Sequence, residues 1–110
     1  MAVNSVNISI EKSTNYSETF SIKNSDGTVM DLTGYTGVSK IRKYATAVEV
    51  QNFAVGIAST TGKVTLSMAS TITSEIKDGR NYYDIVVTSV GGTVTKIQEG
   101  SAIVNPTISA

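Results

Sequence analysis

Three cations fall within four residues at Lys40-Ile41-Arg42-Lys43. Lys and Arg at that density suit a phosphate backbone, where affinity grows with each charge neutralised. Such a site also wants more cations on the same face and exposed aromatics for stacking bases. Lys63 and Lys96 could join, but Glu49, Glu75 and Glu99 compete as neighbours. Nine cations balance nine anions over 110 residues. A neutral chain lacks the basic excess that backbone binding draws on, so no nucleic-acid partner is expected. The cluster then reads first as the solvated face of a strand.

Other chemistry is thinner. Glu11 and Glu18 could approach across a first hairpin, and Asp84 lies beside Tyr82 and Tyr83, so paired carboxylates of the glycosidase kind are one reading. A general acid needs a pKa raised by burial, and short regular loops imply no cleft to supply it. Asn24-Ser25-Asp26-Gly27 opens like a calcium loop but lacks the alternating carboxylates and the closing Glu. Gly91-Gly92 precedes no helix whose N-terminus could hold an anion. There is no His and no Cys, which removes the commonest general base, the commonest metal ligand and all thiolate chemistry. The expectation is therefore no catalytic residue, no metal, no cofactor and no enzyme.

The elements that position these residues alternate with period two. Val6, Ile8 and Ile10 mark a strand, then Tyr16, Phe20 and Ile22 share a face with Glu18. Asp26-Gly27 between alternating runs is a hairpin signal. Val29 and Met30 suit a short edge strand. In Val38 to Lys43, neighbours point to opposite faces, so Ile41 turns inward while Lys40 and Arg42 turn outward together. Lys43 falls at the strand end. Tyr44 to Ile57 reads as a loop into a strand of uncertain register, with Val48 and Val50, then Phe53, Val55 and Ile57, alternating. Val64, Leu66 and Met68 face inward. The span 70–78 breaks the pattern: Ser70 or Thr71 suits a cap, and Ile72 and Ile76 lie on one helical face. Tyr83, Ile85 and Val87 follow on an inward face, with Asp84 turned the other way. Tyr83 is the better corner tyrosine, its ring in the core and its hydroxyl on nearby backbone, and Tyr82 turns outward as an interface anchor. Gly100 suggests a bulge in the last strand.

Ser and Thr make up roughly a quarter of the chain and keep pleated surfaces soluble without charge. The first residues, MAVNSVNISIEK, lack a basic flank and a long apolar run, so no signal peptide is expected. No apolar run approaches the ~20 residues of a bilayer span, so no membrane partner is expected. Strand spacing and turn signals point to a single all-β domain over 1–110, a sandwich or barrel with one short helical turn near 70–78.

Three stretches carry a family resemblance: Asp31-Leu-Thr-Gly-Tyr-Thr with Ile41-Arg-Lys, then Gly62-Lys-Val-Thr-Leu, then Asp78-Gly-Arg-Asn-Tyr-Tyr-Asp-Ile-Val-Val-Thr-Ser. In this order they resemble small virion structural proteins of tailed bacteriophages, most of all those of cyanophages. They are also similar to N-terminal immunoglobulin-like domains of phage baseplate and fibre proteins. The resemblance covers nearly the whole chain and implies an antiparallel, immunoglobulin-like β-sandwich. It implies a non-enzymatic virion component assembled in the host cytoplasm, most simply a capsid decoration or cement protein. The alternative is an adhesion or attachment module of a tail fibre or baseplate. The partners implied are other virion proteins of capsid or tail, with self-association a further option. Lys40, Arg42 and Tyr82 are the candidate interface residues.

Overall fold

The computed structural model describes residues 4–24, 26–43, 50–58 and 60–107. Strands β1 (Asn4–Ser5), β2 (Ile8–Glu11), β3 (Tyr16–Ser21), β4 (Thr36–Arg42), β5 (Val50–Ala58) and β6 (Lys63–Met68) precede a short helix, α1 (Ser70–Thr73). Strands β7 (Gly79–Thr88) and β8 (Val94–Asn105) complete the chain. The expected loop from Tyr44 to Glu49 lies outside the described residues, as does Ser25.

The strands form one mixed sheet in the order β1-β8-β7-β4-β5-β6-β3, with β2 following β1 along β8. Counting β1 and β2 as one interrupted strand, seven strands nearly close into a barrel. Strand β5 makes the turn between the two halves. Up to Phe53 it pairs with β4, and from Ala54 onward it pairs with β6. Inward residues come from alternate positions on both halves, including Ile10, Ile22, Leu32, Ile41, Leu66 and Ile85. Tyr16, Phe53 and Tyr83 link the halves by tilted and edge-on ring contacts at 5.7 and 6.3 Å, a geometry that suits aromatic quadrupoles.

Several expectations change here. The sheet is not purely antiparallel, because β1 and β2 run parallel to β8. Alternation assigns a face and not a partner, so nothing in Val6 to Ile10 marks this pairing. For the same reason Glu11 and Glu18 do not meet across a hairpin: β2 pairs with β8 and β3 with β6. The bulge lies at Ile97-Gln98, between the pairs Ile85–Gln98 and Val86–Lys96, and not at Gly100. Gly100 is explained instead by a close crossing, since a Cβ there would overlap the carbonyl of Val6. The hairpin at Asp26-Gly27 does form, with Gly27 at positive φ and the Asn24 amide donating to the Thr28 carbonyl at 2.8 Å.

Helix α1 supplies the expected helical turn, but neither Ser70 nor Thr71 caps it; the N-cap is Ala69. The Ser70 amide instead donates to Asn15 Oδ1 at 2.9 Å. Ile76 is buried and Ile72 packs partly buried against the core. Thr73 is buried between them, its hydroxyl donating to the Thr14 carbonyl at 2.8 Å. Lys12 pairs with Asp78 at 3.0 Å, so the 11–15 turn and the 69–78 crossover are tied together at one end of the barrel.

Candidate functional site

The outer faces of β4, β7 and β8 carry the three candidate interface residues and bring them together. In register, Arg42 lies across from Tyr82, and Tyr82 lies across from Ser101. One pleat further, Lys40 lies across from Asp84, which lies across from Glu99. With Arg80, Lys96, Ser5 and Asn7 they line one shallow basin.

The basin is concave for backbone reasons. The bulge puts both Ile97 and Gln98 inside, so the outward row of β8 passes from Lys96 to Glu99. A bulge also bends its strand and increases the local twist. At Gly100 the missing side chain lets the chain around Val6 close over β8, and the Val6 amide donates to the Glu99 carbonyl at 2.9 Å. Asn7 Oδ1 then accepts from the Ser101 amide and hydroxyl at 3.1 and 2.9 Å, which fixes that rim.

Beneath the basin, buried polar groups are satisfied. Tyr83 donates its hydroxyl proton to the Val6 carbonyl at 2.7 Å and accepts from Gln98 Nε2 at 2.9 Å. It packs as expected of a core tyrosine, but its backbone partner lies on the first-strand segment, far away in sequence. Ser39 Oγ donates to the Asp84 carbonyl at 2.6 Å. Burial raises the Tyr83 hydroxyl above its ordinary pKa, against a smaller opposing effect of the Gln98 hydrogen bond.

Charges on the face are unevenly matched. Lys96 pairs with Glu99 at 2.7 Å, and that hydrogen bond raises the pKa of Lys96. Among the described residues, Lys40 and Arg80 have no hydrogen-bond or ion-pair partner. Tyr82 is 47% exposed. Lys63 does not join this face, because it sits on β6 opposite Ser21. Sequence reasoning missed Arg80, although it lies two residues from Tyr82 and so shares its face. Lys96 and Glu99, both named as possible neighbours of the cluster, do lie on this face, although the bulge reverses the parity of β8 between them.

The remaining carboxylates do other work. Asp26 and Asp31 each accept from a threonine two residues on, Thr28 and Thr33, at 2.6 Å from the hydroxyl and 3.0 Å from the amide. Those hydrogen bonds, the hydroxyl's foremost, hold both carboxyls below their ordinary pKa. Glu18 accepts from the Tyr16 hydroxyl at 3.0 Å. Among the described residues, no three His, Cys, Asp or Glu side chains come together as metal ligands would. No helix among the described residues is long and apolar enough to cross a membrane.

No protein-family model and no curated protein sequence matches the chain. Solved structures do. The N-terminal domain of phage TP901-1 ORF48 is similar with a TM-score of 0.59 and 12% identity, over 96% of this chain and 99% of that one. At that identity the likeness establishes the fold. A family 123 glycoside hydrolase from Clostridium perfringens matches 100% of this chain and 24% of its own, at 12% identity and a TM-score of 0.39, too low to bear on fold or activity.

Proposed function

We propose that this chain is a non-enzymatic structural domain of a tailed-phage particle, attaching to other virion proteins through one face of its sheet. The observation that carries the reading is the end-to-end fold likeness to a domain of a phage protein, which agrees with the resemblance read from the sequence. Two placements follow. Capsid decoration is the simpler reading, supported by the resemblance read from the sequence. Attachment within a tail fibre or baseplate is favoured by the similar structure being an N-terminal domain, the position from which a longer protein can be anchored. The particle would be assembled in the host cytoplasm.

The barrel is also read as immunoglobulin-like. Supporting this is the strand order, with β4, β7 and β8 adjacent on one side and β3, β6 and the second half of β5 on the other, the division made by such sandwiches. The lack of a reaction is part of the proposal. It rests on the sequence, which has no His and no Cys and so lacks the commonest general base and any thiolate nucleophile.

Immunogold labelling of purified particles, using antibodies against the recombinant chain, tests the reading. Gold on the capsid selects decoration, and gold on the tail selects the attachment module. Particles that carry no label, with the chain also missing from their protein content, reject both.

A further inference from the structure

We propose that the concave face of β4, β7 and β8 docks an acidic segment of a neighbouring particle protein, with Tyr82 as the central anchor. This rests on the virion reading above and adds to it the face and the chemistry of the partner.

Charge is the first argument. The basin holds four of the nine cations but two of the nine carboxylates of a neutral chain. It is therefore a local positive surface on a molecule with no net charge. Lys96 and Glu99 largely cancel each other. Lys40 and Arg80, which lack partners among the described residues, are left to meet a ligand. Arg80 lies two residues from Tyr82 along β7, about 7 Å away, and Lys40 lies one strand over and one pleat along, across from Asp84.

The anchor is the second argument. Tyr82 stands half exposed in the floor of a depression, with Arg42 and Ser101 directly across from it. Aromatic and Arg side chains at the centre of a concave patch carry most of the energy of a protein interface, and the charged rim chiefly sets approach and orientation. Val38 and Val94, both more than half exposed, continue the same face beyond the charges. An occupant with apolar groups beside its carboxylates would cover both zones.

The floor argues against a continuous polyanion. Asp84 and Glu99 lie directly across from one another on β7 and β8. A nucleic-acid backbone would bring phosphates onto that pair and would find one exposed aromatic rather than a stacking series. An acidic peptide can place its carboxylates at Lys40 and Arg80 and pass over Asp84 with a neutral residue.

Two measurements test this. In the first, isotope-labelled full-length protein is titrated at low salt with a 14-residue peptide in which Glu and Asp alternate with Leu and Ser. Amide shifts should cluster on Lys40, Arg80, Tyr82 and Ser101. Tyr82→Ala should weaken binding about tenfold or more. Lys40→Ser with Arg80→Ser should weaken it several-fold, an effect that vanishes near 0.5 M salt. Lys63→Ser, off this face, should change nothing. Shifts centred elsewhere, or equal affinity in the Tyr82 variant, overturn the docking face. Tighter binding by a dT15 oligonucleotide than by the peptide overturns the protein partner. In the second measurement, the same variants are added to particles from which the chain has been removed. Recovery of wild type but not of Tyr82→Ala supports the proposal. Equal recovery of both rejects the face while leaving the virion role intact. Failure of wild type to rebind, with peptide shifts still on this face, counts against the virion role alone.

Discussion

At the scale of single residues, Tyr83 links the core to the first strand. Its hydroxyl serves both the Val6 carbonyl and Gln98 Nε2, and Gln98 is buried. Replacing Tyr83 with Phe strands that amide in the interior. A loss of about 1–3 kcal/mol is expected from the unsatisfied group, measured by urea unfolding. Tyr83 also predicts a pH dependence, because burial raises its folded pKa above an unfolded value of about 10. Tyr16 shifts the same way, by burial first and then by its hydrogen bond to Glu18. A raised tyrosine pKa means the native state holds its proton while the unfolded chain has released it. Stability from this source is full below about pH 10 and is lost as pH rises from there through the folded pKa. Unfolding midpoints should thus fall between pH 9 and 11, and Tyr83→Phe should flatten the fall. A wild-type midpoint constant across that range would refute the assignment. Gly100 gives a steric counterpart. An added Cβ meets backbone rather than a side chain that can move aside, so Gly100→Ala should cost about 1–3 kcal/mol as overpacking and loosen the strand around Val6.

At the scale of elements, the inward faces were legible because period two leaves one choice per strand. Val64, Leu66 and Met68 are all buried on β6, and Tyr83, Ile85 and Val87 on β7. Leu66 is fully buried, so Leu66→Ala should cost about 2–5 kcal/mol, and a loss below about 0.5 kcal/mol would be a surface value that contradicts its place. Lys40, Arg42 and Tyr82 share a face for the same reason of parity, as anticipated for Lys40 and Arg42 within β4. What parity cannot carry is a register shift. The bulge leaves Ile97 and Gln98 both inside, and a polar Gln at that point gives no sign of burial until its tyrosine partner is known. Thr73 was hidden likewise. Ile72 and Ile76 announce the helical face, but the most buried residue of α1 is the Thr whose hydroxyl reaches the Thr14 carbonyl. Its acceptor lies 59 positions away, outside any local pattern.

At the scale of the whole molecule, the feature least visible in the sequence has the largest consequence. The segment β1–β2 runs parallel to β8 and covers its outer edge, pairing Ile8 with Ala102 and Ile10 with Val104. Without it, a strand of 12 residues would present unpaired amides and carbonyls, the template on which other chains add. The same segment buries Ile8 and Ile10 and supplies the carbonyl that accepts from Tyr83. Burying two such side chains is worth about 1.5–3 kcal/mol each, a large share of the roughly 5–15 kcal/mol that holds a domain folded. A chain lacking residues 1–11 should therefore lose most of its stability and self-associate through β8. Light scattering after size exclusion should show species larger than a monomer, and urea unfolding should begin at much lower denaturant. Lys or Pro introduced on the newly bared edge, at Ile103, should return the truncated chain toward the monomer without restoring its stability, because it blocks strand addition but refills no core. A truncated chain that is monomeric with an unchanged midpoint would mean that the remaining strands close on themselves and that the parallel pairing is dispensable.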